Sequence, residues 1–107
     1  MKVIHAHAFI EEFIDNLNDR TRAQVDKTIL LLEERGASLR MPHSRSLGEG
    51  LFELRLKGDH PVRIFYMYFQ REAWLLHVIS KKTGAIPARE LRYAQNIRDA
   101  VLRKYNI

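Results

Sequence analysis

The chain has 107 residues, one domain's length, with 46% hydrophobic and 29% charged residues, so a globular domain is expected and a disordered chain is not. It contains no cysteine, which excludes disulfides, thiolate catalysis and thiolate-held zinc or iron–sulfur clusters. Met1-Lys2-Val3-Ile4-His5 lacks the apolar run of a signal peptide, and no stretch reaches the ~18 apolar residues of a membrane span. A soluble, cytoplasmic protein with no membrane partner is expected.

The formal net charge of +5 is unevenly spread. Residues 1–50 carry 7 Lys and Arg against 8 Asp and Glu, whereas residues 51–107 carry 11 against 5. The second half therefore presents a cationic field of the kind that attracts a phosphate backbone or an acidic protein. A solvated charged face accounts for the same count, so charge alone leaves both readings open.

In chain order, Lys2 to Ala6 fits a short strand. From His7 the spacing of Phe9, Phe13, Ile14 and Leu17 predicts an amphipathic helix. Asn16 to Asp19 breaks it, with Asp19 a candidate cap for a second helix over Arg20 to Arg35. Val25, Ile29 and Leu32 stripe that helix and Gly36 is placed to end it. Ala37 to Gly50, with Pro42, Gly48 and Gly50, reads as a loop, and its Arg40, His43 and Arg45 as solvated connector residues.

The period then changes to two. Phe52, Leu54 and Leu56 face one way, and Glu53, Arg55 and Lys57 the other. Gly58 to Pro61 is a turn, Val62 to Phe69 an apolar, β-branched and aromatic strand, Gln70 to Glu72 a second turn, and Ala73 to Lys81 a third strand. Thr83 to Ile86 interrupts, and Pro87 suits the first position of a last helix. Leu91, Ala94, Ile97, Val101 and Tyr105 would form its buried side, under Arg89, Arg92, Arg98, Arg103 and Lys104. The expected fold is α+β in one domain over 1–107: two N-terminal helices, a small antiparallel sheet built from a three-strand meander plus a short N-terminal strand, and a basic C-terminal helix.

Chemistry could reside in four places. His5, His7, His43, His60 and His77 show no metal-ligand spacing, so no metal site is expected. Glu11, Glu12, Asp15, Glu33 and Glu34 fit outer helix faces. In the meander, Arg63 interrupts an apolar run, and a buried guanidinium must find an acid, a cleft or a ligand. Glu53 is the available internal acid, but Arg55, Arg63, Lys81, Lys82 and Arg89 together outnumber it, which suits a phosphate-binding cleft. Among Phe65, Tyr66, Tyr68 and Trp74, most fit the core. Tyr66 is the candidate phenol to reach a substrate beside Arg63.

Gly50-Leu51-Phe52-Glu53-Leu54-Arg55, Val62-Arg63-Ile64-Phe65-Tyr66, Leu75-Leu76-His77, Ser80-Lys81-Lys82-Thr83 and Pro87-Ala88-Arg89-Glu90 together resemble the phage-derived HigB-like branch of the RelE/ParE toxin superfamily. The resemblance is close over the second half and extends to the order of elements throughout. It implies a RelE-like fold and the toxin of a type II toxin–antitoxin pair. Such a toxin is an endoribonuclease that cleaves mRNA on the ribosome without a metal or other cofactor, and is silenced by a helix-turn-helix antitoxin. Carried over, Arg55, Arg63, Lys81, Lys82 and Tyr66 would be catalytic, and Glu53, Lys57, His77 and Arg89 would hold substrate. Ile86 and Phe52 stand where the family more often has Thr or Ser and Trp. Two other functions fit the same scaffold: a ParE-like gyrase poison without nuclease activity, and a non-catalytic RNA- or protein-binding module.

Overall fold

A computed structural model describes residues 1–57, 61–80 and 85–105. Strands β1 (Lys2–His5), β2 (Ser44–Gly48), β3 (Leu51–Leu56), β4 (Val62–Phe69) and β5 (Glu72–Ser80) form one sheet in the order β1-β5-β4-β3-β2. Helices α1 (Ala8–Asp15) and α2 (Asp19–Arg35) precede β2, and α3 (Ala88–Tyr105) follows β5. The architecture is α+β as expected, with two differences. β1 lies parallel to β5, so the sheet is mixed, and β2 adds a fifth strand inside the segment read as a loop.

β2 escaped notice because it is an edge strand of sequence Ser-Arg-Ser-Leu-Gly in which only Ser44 is buried. An edge strand with few apolar neighbours lacks the alternation that reveals a central one. The turn that returns it to β3 has positive φ at Gly48, Glu49 and Gly50 (92°, 54° and 77°). The two glycines take that left-handed backbone without a Cβ clash, so they make the hairpin, not a loop.

The helices hold other small corrections. Asn18, one residue before the expected cap, accepts from the Thr21 amide at 2.8 Å, so its side chain satisfies a free donor of the first turn of α2. Gly36 does end α2, at φ 55°. In α1 the buried stripe is Ile10 and Ile14, with Phe13 and Leu17 half-covered beside it, while Phe9 is exposed. Ile10 and Ile14 lie i, i+4 and meet the core side by side, which rotates Phe9 outward. In α3, Ala94 and Val101 are buried, whereas Tyr105 is exposed and leans on Trp74 at 5.4 Å.

Each face of the sheet has its own apolar cluster. α1 and α2 cover Leu54, Leu56, Val62, Ile64, Tyr66, Leu75 and Val78. α3 covers Leu51, Phe65, Met67, Trp74, Leu76 and Ile79 with Ala94 and Val101. No helix among the described residues is long and apolar enough to cross a membrane.

Candidate functional site

Strand register sets out the site. Arg45 of β2 pairs with Glu53 of β3, Glu53 with Phe65 of β4, and Phe65 with His77 of β5, giving one row across four strands on the α3 side. In the next row Arg55 pairs with Arg63, and Arg63 with Ile79. Two guanidinium side chains directly opposite one another repel, so the pair needs an acid close by. Glu53 supplies it. Its carboxylate oxygens lie 3.1 Å from Arg45 Nη2, 3.6 Å from Arg55 Nε and 3.8 Å from Arg63 Nε.

Glu53 is wholly buried, and side-chain exposure rises outward from Arg63 (10%) through Arg55 (24%) to Arg45 (47%). The cluster is therefore rooted in the interior and opens to solvent toward the β2 edge. Its formal charge is three cations against one anion. Within the described residues, Arg63 Nη1 and Arg55 Nε are buried without a hydrogen-bond acceptor, and neither Glu53 oxygen accepts a directed hydrogen bond. Buried donors of this kind are normally satisfied, so the cluster has unspent capacity for an anion.

His77 sits on the same face, diagonal to Arg63, but does not meet Glu53. The Phe65 ring lies between their strands and stacks on His77, with centroids 5.7 Å apart. The carboxylate that His77 does meet is Glu90, in the first turn of α3, with Nε2 to Oε2 at 3.1 Å. Tyr93, one helical turn on, lies 4.5 Å from the imidazole by centroids. His77 thus ties the start of α3 to the sheet beside the arginines.

The other expected residues are dispersed. Tyr66 departs from the reading that placed it beside Arg63. It points to the opposite face, fully buried among the side chains under α1 and α2. The reason is parity: residues 63 and 66 fall on opposite faces of one strand. Its hydroxyl belongs to a chain of bonds whose direction follows from the last acceptor. Tyr68 donates to the Gly36 carbonyl at 3.1 Å, Tyr66 donates to Tyr68 at 3.4 Å, and the Ser44 hydroxyl donates to Tyr66. Burial pushes the Tyr68 phenol well above its usual range.

Lys57 is exposed beyond the cluster at the end of β3, and Arg89 is exposed on α3 with Nε 3.9 Å from Glu90. Lys81, Lys82 and Thr83, with His60, lie outside the described residues. No group of three or more His, Asp or Glu among the described residues could hold a metal ion.

Sequence reasoning missed Arg45 and Glu90. Arg45 fell inside a presumed loop, and its one signal was the alternation Ser44-Arg45-Ser46-Leu47 ahead of a glycine pair. Glu90 is one of several charged residues on a helix, and nothing local distinguishes it.

A small α+β scaffold with a buried carboxylate aiming three arginines out of one sheet face defines a candidate anion-binding protein. Residues 12–99 match the model of the phage-derived Gp49-like protein family, and the chain belongs to that family. The family is known for toxins of toxin–antitoxin systems. No curated protein matches the chain.

Proposed function

We propose that the chain is the toxin of a type II toxin–antitoxin pair and acts as an endoribonuclease on mRNA engaged with the ribosome, held silent by a helix-turn-helix antitoxin. The observation that carries this reading is the Glu53-centred set of Arg45, Arg55 and Arg63, with buried guanidinium nitrogens that have no acceptor among the described residues. Family membership supports the toxin role.

In the reaction the ribose 2′-oxygen attacks the adjoining phosphorus as the bond to the 5′-oxygen breaks. The 2′-hydroxyl proton passes to a base, a proton reaches the leaving 5′-oxygen, and the products are a 2′,3′-cyclic phosphate and a free 5′-hydroxyl. The protein must hold the attacking and leaving oxygens in line and neutralise the charge that builds on phosphorus. Arg55 and Arg45 reach solvent and would grip the phosphate oxygens. Arg63, more deeply set, would add its field and its free N–H as the phosphorane forms. Glu53 is a positioning residue, since both of its oxygens already face guanidinium groups.

Proton transfer is assigned to one of the two lysines that follow β5 in sequence. Lys81 and Lys82 follow directly on Ser80, which pairs with Val62 next to Arg63, and stand as the candidate base. His77 and Glu90 hold the helix start that carries Arg89. Tyr66 has no direct part, because its phenol faces the other side of the sheet.

The test is induced expression with and without the neighbouring antitoxin gene, followed by mapping of transcript 5′ ends. Growth arrest with new, codon-phased 5′ ends, abolished in Arg55→Ala, is the expected result. Arrest with intact transcripts and blocked DNA replication would instead indicate a gyrase poison. Absence of arrest from a folded protein would end the toxin reading.

A further inference from the structure

Before Ser44 the chain continues beside the end of β3, held in register by the Arg55 amide donating to the His43 carbonyl at 2.9 Å. Between this segment, the end of β3 and α2 lies a cleft of about 300 Å³. Among the described residues its lining carries four basic ones, Lys27, His43, Arg55 and Lys57, and no acidic one. Leu31, Pro42 and Leu56 give it apolar walls, and Gln24 and Thr28 add polar groups from α2. The Thr28 hydroxyl donates its proton to the Gln24 carbonyl at 2.9 Å, so its oxygen faces outward as an acceptor.

Arg55 belongs to both places. Its Nε lies 3.6 Å from Glu53 in the arginine cluster, while its Nη1 lies 3.9 Å from Met41 Sδ in the segment before β2, and the residue lines the cleft. Arg55 is thus shared by the cluster and the cleft, so an anionic strand with a phosphate on the cluster would have the cleft as its neighbour. A volume at the lower end of the ligand-pocket range suits one small group, not a protein element. Apolar walls for a flat base, cations for a phosphate and a few polar groups for a base edge are what a single unpaired nucleotide needs.

We propose that this cleft binds the RNA nucleotide adjoining the cleaved phosphate and contributes to the choice of cleavage position. The proposal rests on the ribonuclease reading above. The Lys27 and Lys57 ammonium groups hold the flanking phosphate, and Gln24 and Thr28 meet the base edge.

The test is 5′-end mapping after induction of the full chain, in wild type, in the double variant Lys27→Ala/Lys57→Ala, in the charge-preserving Lys27→Arg/Lys57→Arg, and in Thr28→Trp, which fills the cleft. Both lysines are exposed, so their removal leaves the fold intact, and a thermal melt of each purified variant confirms it. The double alanine variant is expected to cut about tenfold less, through lost phosphate contacts. The double arginine variant is expected to restore the rate. Thr28→Trp is expected to keep cutting but to redistribute the bases found beside the cut. Unchanged rate and unchanged flanking bases in the alanine and tryptophan variants, with Arg55→Ala inactive, would overturn the cleft while leaving the nuclease standing. Absence of cutting by wild type would overturn both.

Discussion

The two faces of the sheet are built from alternate residues of the same strands, yet they follow different rules. Under α1 and α2 the face is closed: Leu54, Leu56, Ile64 and Leu75 are packed dry, and its few polar groups form a chain in which each hydroxyl has a partner. Under α3 the face is divided. Leu51, Phe65, Met67 and Trp74 are covered as a core should be, whereas Arg45, Glu53, Arg55 and Arg63 form an ion cluster that none of α3's described charged groups pairs with. A closed face stabilises the fold by burial of apolar area. Among the described residues the divided face keeps buried donors without acceptors, which is unfavourable for stability unless a ligand offsets it. Within one small domain, the side that violates the packing rules is where function is to be sought.

The sharpest way to break that comparison is at Glu53, which is central to the cluster and fully buried. Glu53→Ala leaves the Arg63 and Arg55 guanidinium groups with no acid, and the expected loss is about 3–5 kcal/mol in urea unfolding. A loss below about 1 kcal/mol would mean that solvent already screens the cluster as it does a surface pair. Leu54→Ala, one residue on and facing the other way, should also destabilise, by about 2–5 kcal/mol, through a cavity. The two differ in the conservative variant. Glu53→Gln is expected to lower RNA cleavage by loosening the aim of the arginines, while Leu54→Met is expected to leave cleavage as it is.

Next in size is Arg55→Ala. If the guanidinium stabilises charge on the phosphorane, transcript cutting falls about 10²–10³-fold, as for loss of one transition-state donor. Stability should stay within about 1 kcal/mol of wild type, since a cation in a cation-rich cluster is removed. A large loss of stability with intact cutting would assign Arg55 to the scaffold instead. Tyr66→Phe gives the complementary result on the closed face. It removes the middle hydroxyl of the Ser44–Tyr66–Tyr68–Gly36 chain, with an expected cost of about 1 kcal/mol, and its effect on cleavage should be limited to what stability explains.

These contrasts also show what the sequence discloses. The central strands were legible residue by residue because a strand buried on both faces must be apolar throughout, and Val62–Phe69 is, apart from Arg63. Arg63 and Glu53 could be paired in advance because a lone cation and a lone acid in such a run have few other partners. β2 was not legible, because an edge strand owes its place to hydrogen bonds with β3 and to a glycine turn, neither of which needs hydrophobic side chains. Arg45 was lost with it. Tyr66 was misplaced for a different reason: closeness in sequence to Arg63 was allowed to outweigh strand parity, which sends the two to opposite faces. The partnership of His77 with Glu90 depends on where α3 docks, and no local pattern encodes that.

The smallest expected effect concerns Tyr68, at the outer end of the hydroxyl chain. Its phenol is held protonated in the folded state by burial. Folding therefore favours the protonated form. This contribution is complete below the ordinary phenol value of about 10 and is lost as pH rises beyond it, where the unfolded chain releases the proton and the folded chain keeps it. Tyr68→Phe removes both the donor to the Gly36 carbonyl and this linkage. Near neutral pH the variant should be less stable by about 0.5–1.5 kcal/mol, the worth of one hydrogen bond. Above about pH 10 the gap should narrow, because only the wild type pays the linkage. Urea midpoints for the two proteins across that range provide the measurement. A gap that widens with pH would mean that the folded state accepts the phenolate, and that the face under α1 and α2 is less closed than its packing indicates.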